Sequence, residues 1–216
     1  MDYMRSVTYV AEDKDWLKKI GMGAVMTLLS VVLVGQWALT GWAMEAFRRV
    51  VRHSDEELPD WDDLGAYIGQ GLKYFVVTLV WSLPMIVVAI ALAGTMAAAS
   101  NLESGEAAAI AGTLFFWLVA MLYSLAASFL SIGAFVILAQ TDDLGQAINP
   151  VNAWHVVSRD LGKWVLSGLF ILLVSMVFSA IGGVLCGVGV LVATPWISAA
   201  AGNLLGQTFA ETASEL

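Results

Sequence analysis

Four stretches of this chain carry no Asp, Glu, Lys or Arg: Ile20 to Met44, Tyr74 to Leu102, Ala107 to Thr141 and Trp164 to Ala210. They run 25, 29, 35 and 47 residues. A helix of about 20 apolar residues crosses a hydrocarbon core roughly 30 Å thick. A water-soluble core has no use for four such runs. Hydrophobic residues make up 59% and charged ones 13%, against about 45–50% and about 25% in soluble domains. The expected class is all-α: a multi-pass helical membrane protein, one integral membrane domain over residues 1–216, placed in the cell membrane.

The longest tract, as one helix, would measure about 70 Å, so it must break. Gly182-Gly183 with Gly187 and Gly189 supply the place, giving spans near 164–181 and 188–208. Two more spans fall near 73–98 and 108–136, the latter long enough to tilt or to bend around Ser131-Ile132-Gly133. Residues 20–43 admit two readings. A simple crossing gives five spans and leaves Arg5, Lys14, Lys18 and Lys19 opposite the other six basic residues. A re-entrant hairpin turning near Gly35 puts all ten basic residues on the cytoplasmic side, as the positive-inside rule favours. The hairpin is preferred. Both readings place loops 45–72 and 141–163 and the C-terminus in the cytoplasm. A cleavable leader is not expected, because Asp13, Asp15 and lysines precede the first tract and no small-residue cleavage site follows.

Between the first two tracts lies Arg48-Arg49-Val50-Val51-Arg52-His53-Ser54-Asp55-Glu56-Glu57-Leu58-Pro59-Asp60-Trp61-Asp62-Asp63, with nine of the 28 charged residues. It reads as a wet collar with interfacial helices near 45–53 and 61–70. Asp60 is the expected helix cap, Asp62 and Asp63 complement the helix dipole, and Arg48, Arg49 and Arg52 with Trp61 and Trp164 meet lipid headgroups. Trp16, Trp42 and Trp154 extend the aromatic belt. A calcium loop counted from Asp60 has Leu64 at position five and Gly71 at position twelve, where oxygen ligands are required. Zinc would need His53 and His155 from separate loops with no cysteine nearby. Cys186 is expected to be a small buried hydrophobe. A net charge of −8 argues against nucleic acid.

Several motifs occur in order: Tyr9-Val10, Asp15-Trp16-Leu17-Lys18-Lys19-Ile20-Gly21, Arg48-Arg49-Val50, Glu57-Leu58-Pro59-Asp60-Trp61-Asp62-Asp63, Gly71-Leu72-Lys73 and Gly202-Asn203-Leu204-Leu205-Gly206-Gln207. In these the chain resembles the prokaryotic integral membrane family catalogued as domain of unknown function 4013. The likeness runs nearly the whole chain and is strongest around 57–63. The resemblance implies a membrane protein with no known activity and supplies no catalytic residues.

Inside the tracts no ionisable side chain marks an ion path. Small and weakly polar residues form stripes instead: Ser124, Ser128 and Ser131; Gly168, Ser175, Ser179 and Gly182; Thr194, Ser198, Gly202 and Gly206. Such stripes are expected to be helix-packing seams. Asp63-Leu64-Gly65 and Asp160-Leu161-Gly162 each lead into a span, which raises the idea of a duplicated unit. No nucleophile with its base, phosphate loop or metal spacing occurs, so neither enzyme activity nor a cofactor or metal is expected. The leading expectation is an accessory, assembly or anchoring subunit whose partners are membrane lipids and other membrane subunits or itself. A small-solute or lipid transporter is the alternative. A lipid-binding, membrane-shaping protein is the third reading.

Overall fold

The computed structural model describes residues 1–52, 58–99, 105–184 and 188–214. Its helices are α1 (Arg5–Glu12), α2 (Trp16–Leu29), α3 (Val34–Val51), α4 (Leu64–Ala99), α5 (Gly105–Thr141), α6 (Leu144–Ile148), α7 (Pro150–Ser158), α8 (Leu161–Val184) and α9 (Val188–Ser214), with a single 3-10 turn over Ser30–Val32. No strand occurs among the described residues. Among the described residues four helices, α4, α5, α8 and α9, are long and apolar enough to cross a membrane. Their flanks stay uncovered: Ile90 is 68% exposed, Leu114 65% and Met176 62%. In water such faces would be an aggregation liability; in lipid they are ordinary.

The first apolar tract doubles back. The arms α2 and α3 have 14 and 18 residues, about 21 and 27 Å, and pack against each other. The reversal falls at Ser30–Leu33 and not at Gly35 itself. Leu33 takes the left-handed conformation at φ 66°, and its amide donates to the Ser30 carbonyl at 3.0 Å. Gly35 matters one step later. A Cβ there would overlap the Met26 carbonyl, so only glycine lets α3 leave the turn against α2.

Helix α3 is the centre of the molecule, with α2, α4, α5 and α9 packed around it. Leu39, Trp42, Met44 and Phe47 are fully buried. Close crossings rest on glycine: a Cβ at Gly41 would overlap the Tyr67 backbone, one at Gly71 the Trp37 backbone, and one at Gly202 the Ala43 carbonyl. The core continues through Phe135, Leu138, Val157, Trp164 and Leu205.

The interfacial helices expected near 45–53 and 61–70 are continuous with longer helices. Residues 45–51 are the last two turns of α3, and the second begins at Leu64 as the first turns of α4. Nothing between Leu64 and the apolar run stops the helix. Loop 141–163 holds α6 and α7, begun by Asp143 and by Asn149-Pro150, the residues that favour helix starts. Helix α5 continues unbroken through Ser131-Ile132-Gly133. There Gly133 instead lets the Ala153 backbone of α7 approach.

Candidate functional site

The collar is built around a buried ion pair that the sequence did not single out. Lys19, in the second turn of α2, donates to Asp13 Oδ2 at 2.8 Å, and the two side chains are 7% and 3% exposed. The same ammonium donates to the Leu58 carbonyl at 2.7 Å and lies 3.4 Å from Asp60 Oδ1. The ammonium thus makes two hydrogen bonds and adds an ion-pair contact to the Asp60 carboxylate. Asp13 Oδ2 also accepts the Leu58 amide at 3.0 Å, and Oδ1 accepts the Asp15 amide at 2.8 Å. Both backbone groups of Leu58, itself fully buried, are thus bound by one ion pair.

Burial by itself raises the Asp13 pKa. The Lys19 ammonium and the amides of Asp15 and Leu58 outweigh it and hold the carboxyl below its ordinary range.

Tryptophans close the pair over. Trp42 and Trp61 stack with ring centres 4.9 Å apart at 14°. Trp42 Nε1 donates to the Pro59 carbonyl at 2.9 Å, and Trp61 Nε1 to the Lys19 carbonyl at 2.8 Å. Tyr67 Oη donates to the Asp60 carbonyl at 2.8 Å. Every link joins α2, α3 or α4 to residues 58–61. What this arrangement does chemically is hold: its ammonium joins a carboxylate to a backbone carbonyl, and both oxygens of Asp13 accept hydrogen bonds.

Asp60 is not the cap. Asp63 accepts the Ala66 amide at 3.0 Å and fills that role for α4. Asp160 does the same for Lys163 at 3.1 Å, and Asp143 for Gln146 at 3.1 Å. Asp143-Leu144-Gly145 is therefore a third occurrence of the repeated triplet. The recurrence is capping chemistry and not a duplicated span.

The residues assigned to lipid headgroups lie in different settings. Arg48 Nε donates to the Ala139 carbonyl at 2.6 Å, closing the C-terminal end of α5, and its guanidinium lies 3.6 Å from Glu45. Arg49 reaches the Leu58 carbonyl at 3.3 Å and Glu45 at 3.8 Å. Lys73 adds a second cation at that helix end, 2.6 Å from Asp142, whose φ is 55°. Arg52 is exposed and Trp61 half-buried. Trp164 is fully buried in the core, as is Trp42 over Pro59, so neither ring reaches a headgroup. His53 and Cys186 lie outside the described residues. His155 is exposed on α7.

The small-residue stripes also divide. Gly202 and Gly206 lie directly on α3, and Gly182 sits against Val190 where α8 meets α9. Ser175, Thr194 and Ser198 donate to carbonyls one turn back in their own helices, and Ser179 is exposed. Ser124 and Ser128 are likewise exposed and bonded to their own helix. With Ser131, Thr78, Ser82 and Tyr123 they line an open cleft of about 280 Å³ between α4 and α5. Among the described residues no three His, Cys, Asp or Glu side chains gather as a metal site would require.

A family model described as a protein of unknown function (DUF4013) matches residues 24–187. The match includes Leu58 to Asp63 and stops short of both Asp13–Lys19 and Gly202–Gln207. No curated protein and no solved structure matches the chain.

Proposed function

This chain belongs to the DUF4013 family, a membership that brings no activity with it. From that premise we propose that it is a non-catalytic integral membrane protein: an accessory, assembly or anchoring subunit of a larger complex, or a homo-oligomer. The observation that carries the reading is the contrast between paired charge and uncovered helix. Lys19, Arg48 and Lys73 have partners within the chain. Helix α5, by contrast, leaves Leu114, Trp117, Met121, Ser124 and Ser128 exposed. Those positions are spaced by three and four residues, the interval that packs a partner helix, and its serines allow close approach. The positive-inside rule puts loops 45–72 and 141–163 and the C-terminus in the cytoplasm. Extraction from native membranes into mild detergent is expected to recover stoichiometric partner subunits or a defined homo-oligomer. A lone monomer in native lipid extracts would overturn the reading.

A second reading, a small-solute or lipid transporter, rests on the open cleft between α4 and α5, whose wall is mostly apolar with a few hydroxyls. On that reading flux into liposomes falls when Ser128→Leu fills the cleft. Flux equal to empty liposomes for the unmodified protein removes it.

A further inference from the structure

Asp13 precedes the first apolar tract and Leu58 follows it, yet their polar groups are 3.0 Å apart. A single crossing would separate them by a hydrocarbon core of about 30 Å. Between Lys19 and Glu45 the hairpin has no charged residue. Its tip is apolar and uncovered: Leu28 is 56% exposed, Val31 90%, Val32 63% and Leu33 50%. The arms run beside membrane-length helices, with Gly23 against Pro195 of α9 and Gly71 of α4 against Trp37.

We infer that the α2–α3 hairpin is a re-entrant element whose partner at the tip is lipid acyl chain. It enters the bilayer from the face that holds residues 58–63 and returns to the same face. From Lys19 to Leu33 the arm rises about 21 Å, past the middle of the core and short of the far surface. Polar groups at membrane depth need internal partners, and the two hydroxyls and the Leu33 amide near the tip have them. Thr27 donates to the Gly23 carbonyl at 2.9 Å, Ser30 Oγ to the Met26 carbonyl at 3.0 Å, and the Leu33 amide to the Ser30 carbonyl at 3.0 Å. The ion pair at Lys19 holds the base of the hairpin at the water boundary. This seat is independent of any subunit or transport role.

The test uses the full chain with its one cysteine removed (Cys186→Ala) and a new cysteine at Lys14, Val31 or Arg52, in oriented vesicles. A membrane-impermeant maleimide is expected to label Lys14→Cys and Arg52→Cys from one and the same face, and Val31→Cys from neither. A bimane attached at Val31→Cys by a permeant reagent is expected to be quenched by brominated acyl chains several-fold more than one at Lys14→Cys. Three results would overturn the inference: labelling of Val31→Cys from either face, labelling of Lys14→Cys and Arg52→Cys from opposite faces, or a Val31 bimane unquenched by lipid because another protein chain covers it. Val31 touches little of its own chain, so its replacement leaves the fold intact.

Discussion

Lys19 and Leu58 meet at 2.7 Å although 39 residues separate them. The contact closes a loop that contains the whole first hairpin, and Asp13 makes it an ion-pair latch. Isolated charges in such a place are costly, and removing one member of a buried pair strands the other.

Lys19→Met is therefore expected to destabilise the protein by about 3–5 kcal/mol, read as thermal unfolding in detergent or bicelles. Asp13→Asn combined with Lys19→Met should cost clearly less than the sum of the single changes, because the two side chains share one interaction. Additive effects would mean that the pair is not formed.

The latch also carries a pH signature. The Asp13 carboxyl is held below its ordinary range. The stability it contributes is present above the unfolded value of about 3.9 and is lost as pH falls through the lower folded value. The melting-temperature gap between the unmodified protein and Asp13→Asn should be flat from about pH 7 to pH 5 and shrink below about pH 4. A gap that widens on acidification contradicts the assignment.

Leu33 holds a conformation that favours glycine. Leu33→Gly should stabilise the hairpin by about 1 kcal/mol through relief of that strain, seen as a higher melting temperature. A drop of similar size would place the reversal elsewhere.

Two glycines of α4 separate packing from propensity. A Cβ at Gly71 meets the Trp37 backbone, while one at Gly94 meets nothing within 4 Å. Gly71→Ala should cost about 1–3 kcal/mol from overpacking. Gly94→Ala should be neutral or gain up to about 1 kcal/mol from helix propensity. Equal effects at the two positions would show that α3 and α4 do not cross at Gly71.

The spans were legible because lipid imposes a one-dimensional rule: helices α4, α5, α8 and α9 coincide with the uncharged tracts, and α8 gives way to α9 within the glycine cluster between Gly182 and Gly189. The hairpin was legible only in outline, from the basic residues on either side of it. Its turn position was not, since Leu33 carries no turn signal. The latch was hidden for another reason. Asp13 and Lys19 look like ordinary flanking charges, and hydropathy says nothing about which backbone 39 or 45 residues away they will bind. Trp42 and Trp164 misled, because an indole beside a charged segment reads as an interface anchor whether or not the fold encloses it.

The account turns on the first apolar tract leaving and returning to one place. Double electron–electron resonance between nitroxides at Lys14→Cys and Asp62→Cys, in nanodiscs and with Cys186→Ala, measures this directly. A single distance distribution centred below about 25 Å is the expected result. A distribution centred beyond about 30 Å, the thickness of the hydrocarbon core, would put the two positions on opposite surfaces and contradict the fold described for this hairpin.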